Sequence, residues 1–98
     1  SVTQPRNAKQ PDEIQLYQNY PNPFNPTTTI RYSIPEKNHV LLKVFNLLGK
    51  EVAILVDGVQ STGEYTVRFD GSGFASGVYF YKLESGNFQK MRKFTLIR

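Results

Sequence analysis

From residue 27 onward, apolar and polar side chains alternate with a period of two, in short runs broken by turn residues. Ile30, Tyr32 and Ile34 alternate with Arg31 and Ser33. Val40, Leu42 and Val44 alternate with Leu41, Lys43 and Phe45, and Tyr65, Val67 and Phe69 with Thr66 and Arg68. Tyr79, Tyr81 and Leu83 share one side of an aromatic-rich run. This is the period of a strand with one buried face. No window carries a helical repeat of useful length. The breaks between runs are equally informative. Asn46-Leu47-Leu48-Gly49-Lys50 reads as a turn in which Gly49 supplies a positive φ. Asp57-Gly58 predicts the end of a short strand begun at Val52. Asp70-Gly71-Ser72-Gly73 reads as a loop and Ser85-Gly86-Asn87 as a hairpin turn. A first strand near residues 14–18 and a last one over 88–97 bring the number to about seven. The prediction is all-β, an immunoglobulin-like antiparallel β-sandwich. The chain has no cysteine and no tryptophan, so only the architecture is implied.

Proline and glycine divide the chain unequally. Five of the six prolines fall in the first 26 residues and all seven glycines after residue 48. Residues 1–13 are polar and aperiodic and cannot bury enough apolar surface to order themselves, so they read as a flexible linker before a domain over 14–98. Asn19-Tyr20-Pro21-Asn22-Pro23-Phe24-Asn25-Pro26 is different. Its prolines fix φ and remove donors, and its asparagines can cap their own turns. Tyr20 and Phe24 are expected to anchor it on the core as an ordered crossing. Gly77-Val78-Tyr79 predicts a tyrosine corner, the phenol bonding back to the preceding loop. Gly63-Glu64-Tyr65 repeats the pattern one strand earlier.

The net charge is +4, and its position matters more than its size. Charges balance over residues 1–81, and the excess lies in Lys82, Lys90, Arg92, Lys93 and Arg98 against Glu84. A basic last strand suggests either a solvated terminal strand or a surface for an acidic partner. Enzymatic chemistry finds no foothold. His39 is the single histidine and falls in a turn region, and no nucleophile–base set can be built around it. No glycine-rich loop opens a helix, the acidic loops lack EF-hand spacing, and no cofactor or metal is expected. Phe88 and Phe94 interleave with the basic residues but are expected in the core, which argues against nucleic acid. An accessory module binding carbohydrate or a neighbouring domain is the alternative reading. No apolar run approaches the ~20 residues of a membrane span, and the first residues do not read as a charged-then-apolar signal segment. With its start at Ser1, the chain reads as a piece of a longer protein.

Five motifs together carry a family likeness. Leu16-Tyr17-Gln18-Asn19-Tyr20-Pro21-Asn22-Pro23-Phe24-Asn25-Pro26 resembles the opening of type A C-terminal sorting domains of the type IX (Por) secretion system. Val44-Phe45-Asn46-Leu47-Leu48-Gly49-Lys50-Glu51-Val52 resembles the family's central strand–turn–strand. Gly63-Glu64-Tyr65-Thr66-Val67, Ala75-Ser76-Gly77-Val78-Tyr79-Phe80-Tyr81-Lys82-Leu83 and Arg92-Lys93-Phe94-Thr95-Leu96-Ile97-Arg98 are similar to its later strands and basic ending. The middle also resembles the immunoglobulin-like domain of flagellar hook-capping proteins, a structural role that implies self-assembly.

The sorting-domain resemblance implies a non-catalytic signal attached to an N-terminal passenger of the same chain. It implies passage through the periplasm and recognition by outer-membrane secretion machinery. Cleavage by a sortase-like peptidase within the linker and delivery to the cell surface or medium would follow. An exposed, extended linker suits proteolysis. The last two strands are then the expected recognition surface, with Gly77 and Tyr79 shaping it and Lys90, Arg92, Lys93 and Arg98 making contact by strand addition or charge complementarity.

Overall fold

The computed structural model describes residues 13–97. Nearly all of the predicted linker and Arg98 lie outside the described residues. The strands are β1 (Gln15–Leu16), β2 (Thr27–Ile34), β3 (Asn38–Asn46), β4 (Glu51–Gln60), β5 (Gly63–Asp70), β6 (Gly77–Ser85) and β7 (Phe88–Leu96). They form a three-stranded sheet ordered β1-β2-β5 and a four-stranded sheet ordered β4-β3-β6-β7. Every strand pairing is antiparallel. The predicted all-β sandwich of seven strands is the observed architecture.

The alternation read from sequence is the alternation of burial. Ile30, Tyr32 and Ile34 of β2 face Val40, Leu42 and Val44 of β3 and Tyr81 and Leu83 of β6 across the sandwich, all at most 1 % exposed. Burial of this apolar surface is the main drive to fold, at about 25 cal/mol per Å². At one end of the core the rings of Phe24, Phe69, Tyr79 and Tyr81 surround Phe94, with centroids 4.8–5.7 Å from it. Both hairpins inside the large sheet form at the predicted turns. At the β3–β4 turn Gly49 has a φ of 88°, and the Asn46 side chain accepts from the amides of Leu48 and Lys50, both at 2.9 Å.

Three local expectations are corrected. Asp57-Gly58 does not end β4, which runs on to Gln60. β3 extends back to Asn38 and keeps offering ladder partners: Leu41 to Asp57, Val40 to Gly58, His39 to Val59. The tertiary ladder overrides the local turn signal, and a His39 Nε2–Asp57 Oδ1 contact of 2.8 Å ties the two strands there. The chain changes sheets after Gln60, and Gly63 opens β5. Of the two expected anchors of the crossing, Phe24 is 1 % exposed and Tyr20 is 80 % exposed. Phe24 lies against Leu96 of β7 in a parallel bridge, whereas Tyr20 only spends its main chain, exchanging both hydrogen bonds with Thr29 at 3.0 Å. Phe94 is fully buried as expected, but Phe88 is 52 % exposed. The four-stranded sheet is wider than the sheet facing it, and β1 has just two residues. Among the described residues nothing covers the first half of β7, where residues 88–93 are all exposed.

Candidate functional site

β7 is an edge strand, as its charges suggested, with β6 on one side. Its other edge is half closed. The crossing of residues 19–26 turns back alongside β7 and satisfies its outward main-chain groups. Phe24 N–H donates to Thr95 O at 3.0 Å and Ile97 N–H to Phe24 O at 2.9 Å. The Asn22 side chain accepts from the Thr95 amide at 3.0 Å, and the Gln18 side chain donates to Lys93 O at 2.8 Å. Asn22 therefore caps a strand 73 residues away rather than its own turn. The carbonyl of Lys93, both main-chain groups of Thr95 and the Ile97 amide thus have partners. By strand alternation the N–H and C=O groups of Gln89 and Met91 also point outward. No main-chain hydrogen bond among the described residues reaches them.

The crossing is fixed from below by a buried polar network. The Asn19 side chain, 2 % exposed, donates to Pro21 O at 3.1 Å and to Thr28 Oγ1 at 3.0 Å. The Tyr81 hydroxyl accepts from the Asn19 amide and donates to Tyr17 O, both at 2.8 Å. No buried side-chain polar atom of the described residues lacks a partner. Burial is the main reason the Tyr81 phenol is pushed above its ordinary value, against the lowering effects of the Asn19 amide and of Arg92.

The basic residues do not act as one patch. Register places Lys90 opposite Leu83 and Arg92 opposite Tyr81, on the side of the sheet that faces the sandwich, and Lys93 opposite Phe80 on the outer side. Arg92 is committed: its Nε–H donates to Leu16 O at 2.6 Å and clamps β7 to β1. No carboxylate among the described residues pairs with Lys90, Arg92 or Lys93, whereas Lys43 and Lys82 have Glu51 and Glu84 at 3.2 and 3.0 Å. On the outer face Phe45, Leu47, Phe80 and Met91 line a shallow groove of about 290 Å³, with the Lys82 ammonium 5.5 Å from the Phe45 ring centre.

Gly77 and Tyr79 stand where β6 begins. The Tyr79 hydroxyl donates to Ala75 O, four residues back, at 2.6 Å, which is the predicted corner. Tyr65 repeats it with Ser61 O at 2.7 Å. Gly77 and Gly63 have φ values of 151° and 150°, a region that a side chain disfavours. The glycine of each Gly-x-Tyr unit lets the strand leave its loop at the angle that returns the phenol onto it. Tyr79→Phe removes one such bond at the rim of the core and is expected to lower stability by about 1 kcal/mol, read as a fall in urea midpoint with an unchanged slope.

Sequence reasoning missed Gln18, Asn22 and Phe24 as partners of β7, and Asn19 as the partner of Tyr81 on β6. A run of asparagines among prolines signals order, but not which distant strand it orders against. Outside this region, Tyr17, Gln18, Tyr20, Thr29 and Arg31 surround a cleft of about 380 Å³. The Arg31 guanidinium lies 4.6 Å from the Tyr17 ring centre and takes one face of that ring. Among the described residues no three His, Asp or Glu side chains gather as a metal site, and no helix is long and apolar enough to cross a membrane.

Comparison with known proteins adds the family. No curated protein and no solved structure matches the chain, and the hook-capping likeness finds no support. The family model described as the secretion system C-terminal sorting domain matches residues 18–97, from the glutamine that closes the β7 edge to the end of that strand's clasp. Members are non-catalytic signals of the type IX system that direct a larger chain to the cell surface or beyond. The chain belongs to the family of type IX secretion system C-terminal sorting domains.

Proposed function

We propose that this domain is read by the outer-membrane machinery as a folded unit, through the start of β6 and the open half of β7. Gly77 and Tyr79 set the shape of that surface. Lys90 and Lys93 offer charge to an acidic receptor surface, with Arg98 continuing the basic run. Arg92 acts mainly by holding the strand to β1. The passenger precedes residue 1 and passes through the periplasm, and a sortase-like peptidase cuts within residues 1–13. The observation that carries this reading is that, among the described residues, the cations of β7 have no acidic partner of their own and lie beside main-chain groups that no strand occupies. Charge of this kind steers encounter more than it adds affinity.

The test must keep the domain folded. Deleting residues 90–98 does not serve, because it removes Phe94 and Leu96, both fully buried. Lys90→Glu with Lys93→Glu alters two exposed side chains instead. Fused behind a reporter in a host with the secretion system, this double variant is expected to export at least ten-fold less reporter than the parent. Its melting curve should match the parent's within the roughly 0.5 kcal/mol typical of surface changes. Undiminished export would remove the basic strand from the recognition surface.

A further inference from the structure

The two edges of the four-stranded sheet are chemically opposite. β7 carries Lys90, Arg92 and Lys93 and no acid. β4, at the other edge, reads Glu-Val-Ala-Ile-Leu-Val-Asp-Gly-Val-Gln, with two acids and no base. β4 is also an open strand, although its ladder to β3 carries two irregularities, between Leu42/Lys43 and Val44/Phe45. It is ten residues long, and not one of them is fully buried. Its run of five apolar residues from Val52 to Val56 only partly packs on the core, and Ile54 and Val59 are 50 % and 63 % exposed. Edge strands usually carry lysine, proline or a covering loop against pairing. β7 has lysines and the clasp; β4 has neither, and among the described residues no main-chain bond closes its free side.

We propose that β4 is a docking edge, and that the strand it takes is the open half of β7 from a second copy of this chain. Three observations favour this occupant. The charges are complementary: β4 has no base, and among the described residues its acids Glu51 and Asp57 meet only Lys43 at 3.2 Å and His39 at 2.8 Å from β3, whereas two β7 strands would set like charges together. The direction is right: β7 runs antiparallel to β4 within one sheet, as the three successive antiparallel pairings require. A second copy displaced sideways therefore presents β7 antiparallel to the first copy's β4. The main chain is ready: Gln89 and Met91 point unpaired groups outward beside Phe88 and Met91, which are 52 % and 54 % exposed. The clasp over the second half of β7 restricts the contact to residues 88–92, so the association is weak and sensitive to salt. Because different surfaces meet, the contact is heterologous and leaves one free edge at each end, so chains grow rather than close.

This inference is independent of export. It is tested on the purified 98-residue chain by sedimentation velocity from micromolar to millimolar concentration in low and high salt. The parent is expected to grow through dimer to longer species with concentration, and to return to monomer in high salt. Ile54→Lys blocks the β4 edge, and Lys90→Glu with Lys93→Glu reverses the β7 edge. Each variant alone should stay monomeric. An equimolar mixture of the two should form a dimer and nothing longer, because each contributes one working edge. As a second measurement, a peptide of residues 88–96 added to labelled parent should shift the amide resonances of residues 51–60. A parent that stays monomeric at millimolar concentration in low salt would overturn the proposal. So would a single-edge variant that dimerises by itself, or peptide shifts that avoid β4.

Discussion

Phe94→Ala is expected to lower the free energy of unfolding by about 3–5 kcal/mol, against a total of about 5–15 kcal/mol for a domain of this size. Phe94 is fully buried and is the common neighbour of four rings. Phe24 meets it edge-on at 4.8 Å with planes 74° apart, and Tyr79 and Tyr81 stack at 5.6 and 5.7 Å. Truncation leaves a cavity that strands from both sheets and the clasp cannot all close at once. The variant loses hydrophobic transfer, aromatic contact and the seat of Phe24 together. A fall in Tm of more than about 10 °C follows for a chain of this length. It can be read by circular dichroism, and a shift of a few degrees would show that the cluster collapses around the gap. Phe94→Leu should recover most of the loss, because the cost lies in volume. Export of Phe94→Ala should fail as well, through unfolding. Comparison with the surface double variant separates loss of fold from loss of recognition.

Tyr81→Phe is the second large effect, and a different physics governs it. Packing volume is nearly unchanged, but two hydrogen bonds disappear. The Asn19 amide and the Tyr17 carbonyl, which meet the hydroxyl at 2.8 Å each, lose their partner beneath the crossing. An orphaned buried polar group costs about 1–3 kcal/mol. Hydrogen exchange should show faster opening at Asn19 than at the core amides of β3. The same phenol gives the parent a signature in alkali. Its pKa is raised above 10.0 by burial first of all, so on raising the pH the unfolded chain gives up the proton before the folded one does. In that window the unfolded state holds fewer protons, and stability falls as pH rises. Below about pH 10 the contribution is complete, and it is lost as pH climbs through the raised value. Tyr81→Phe should flatten this decline without abolishing it, because burial raises Tyr32 as well, opposed by its hydrogen bond to Gln60. An unaltered alkaline slope in Tyr81→Phe would assign the decline to other groups.

The features legible in the sequence are those whose physics is local. A period of two identifies strands because alternate residues face alternate sides, and the core of β2, β3 and β6 follows from it. The tyrosine corners are legible because phenol and acceptor are four residues apart, with a glycine between them in the turn. The Asn46–Gly49 turn closes within itself. The β4 boundary is not legible at Asp57-Gly58, because a turn signal is only a preference. β3 supplied a partner for Asp57 and Gly58, and the ladder outweighed it.

The basic strand repeats this division between sequence and structure. Its charge excess is a property of composition and position, so the sequence determined that the last strand is basic, that the fold is a sandwich, and which family the chain belongs to. Only the tertiary structure decided what that charge is free to do. Arg92 is spent on a β1 carbonyl, and residues 18–24 close the second half of the β7 edge. Phe88 stands open because the facing sheet is one strand narrower. The same crossing buried Phe24 and left Tyr20 in water, although both sit among prolines. These outcomes depend on contacts across some 70 residues of chain. No local period or turn rule carries that information, because which distant groups meet is fixed only when the two sheets pack.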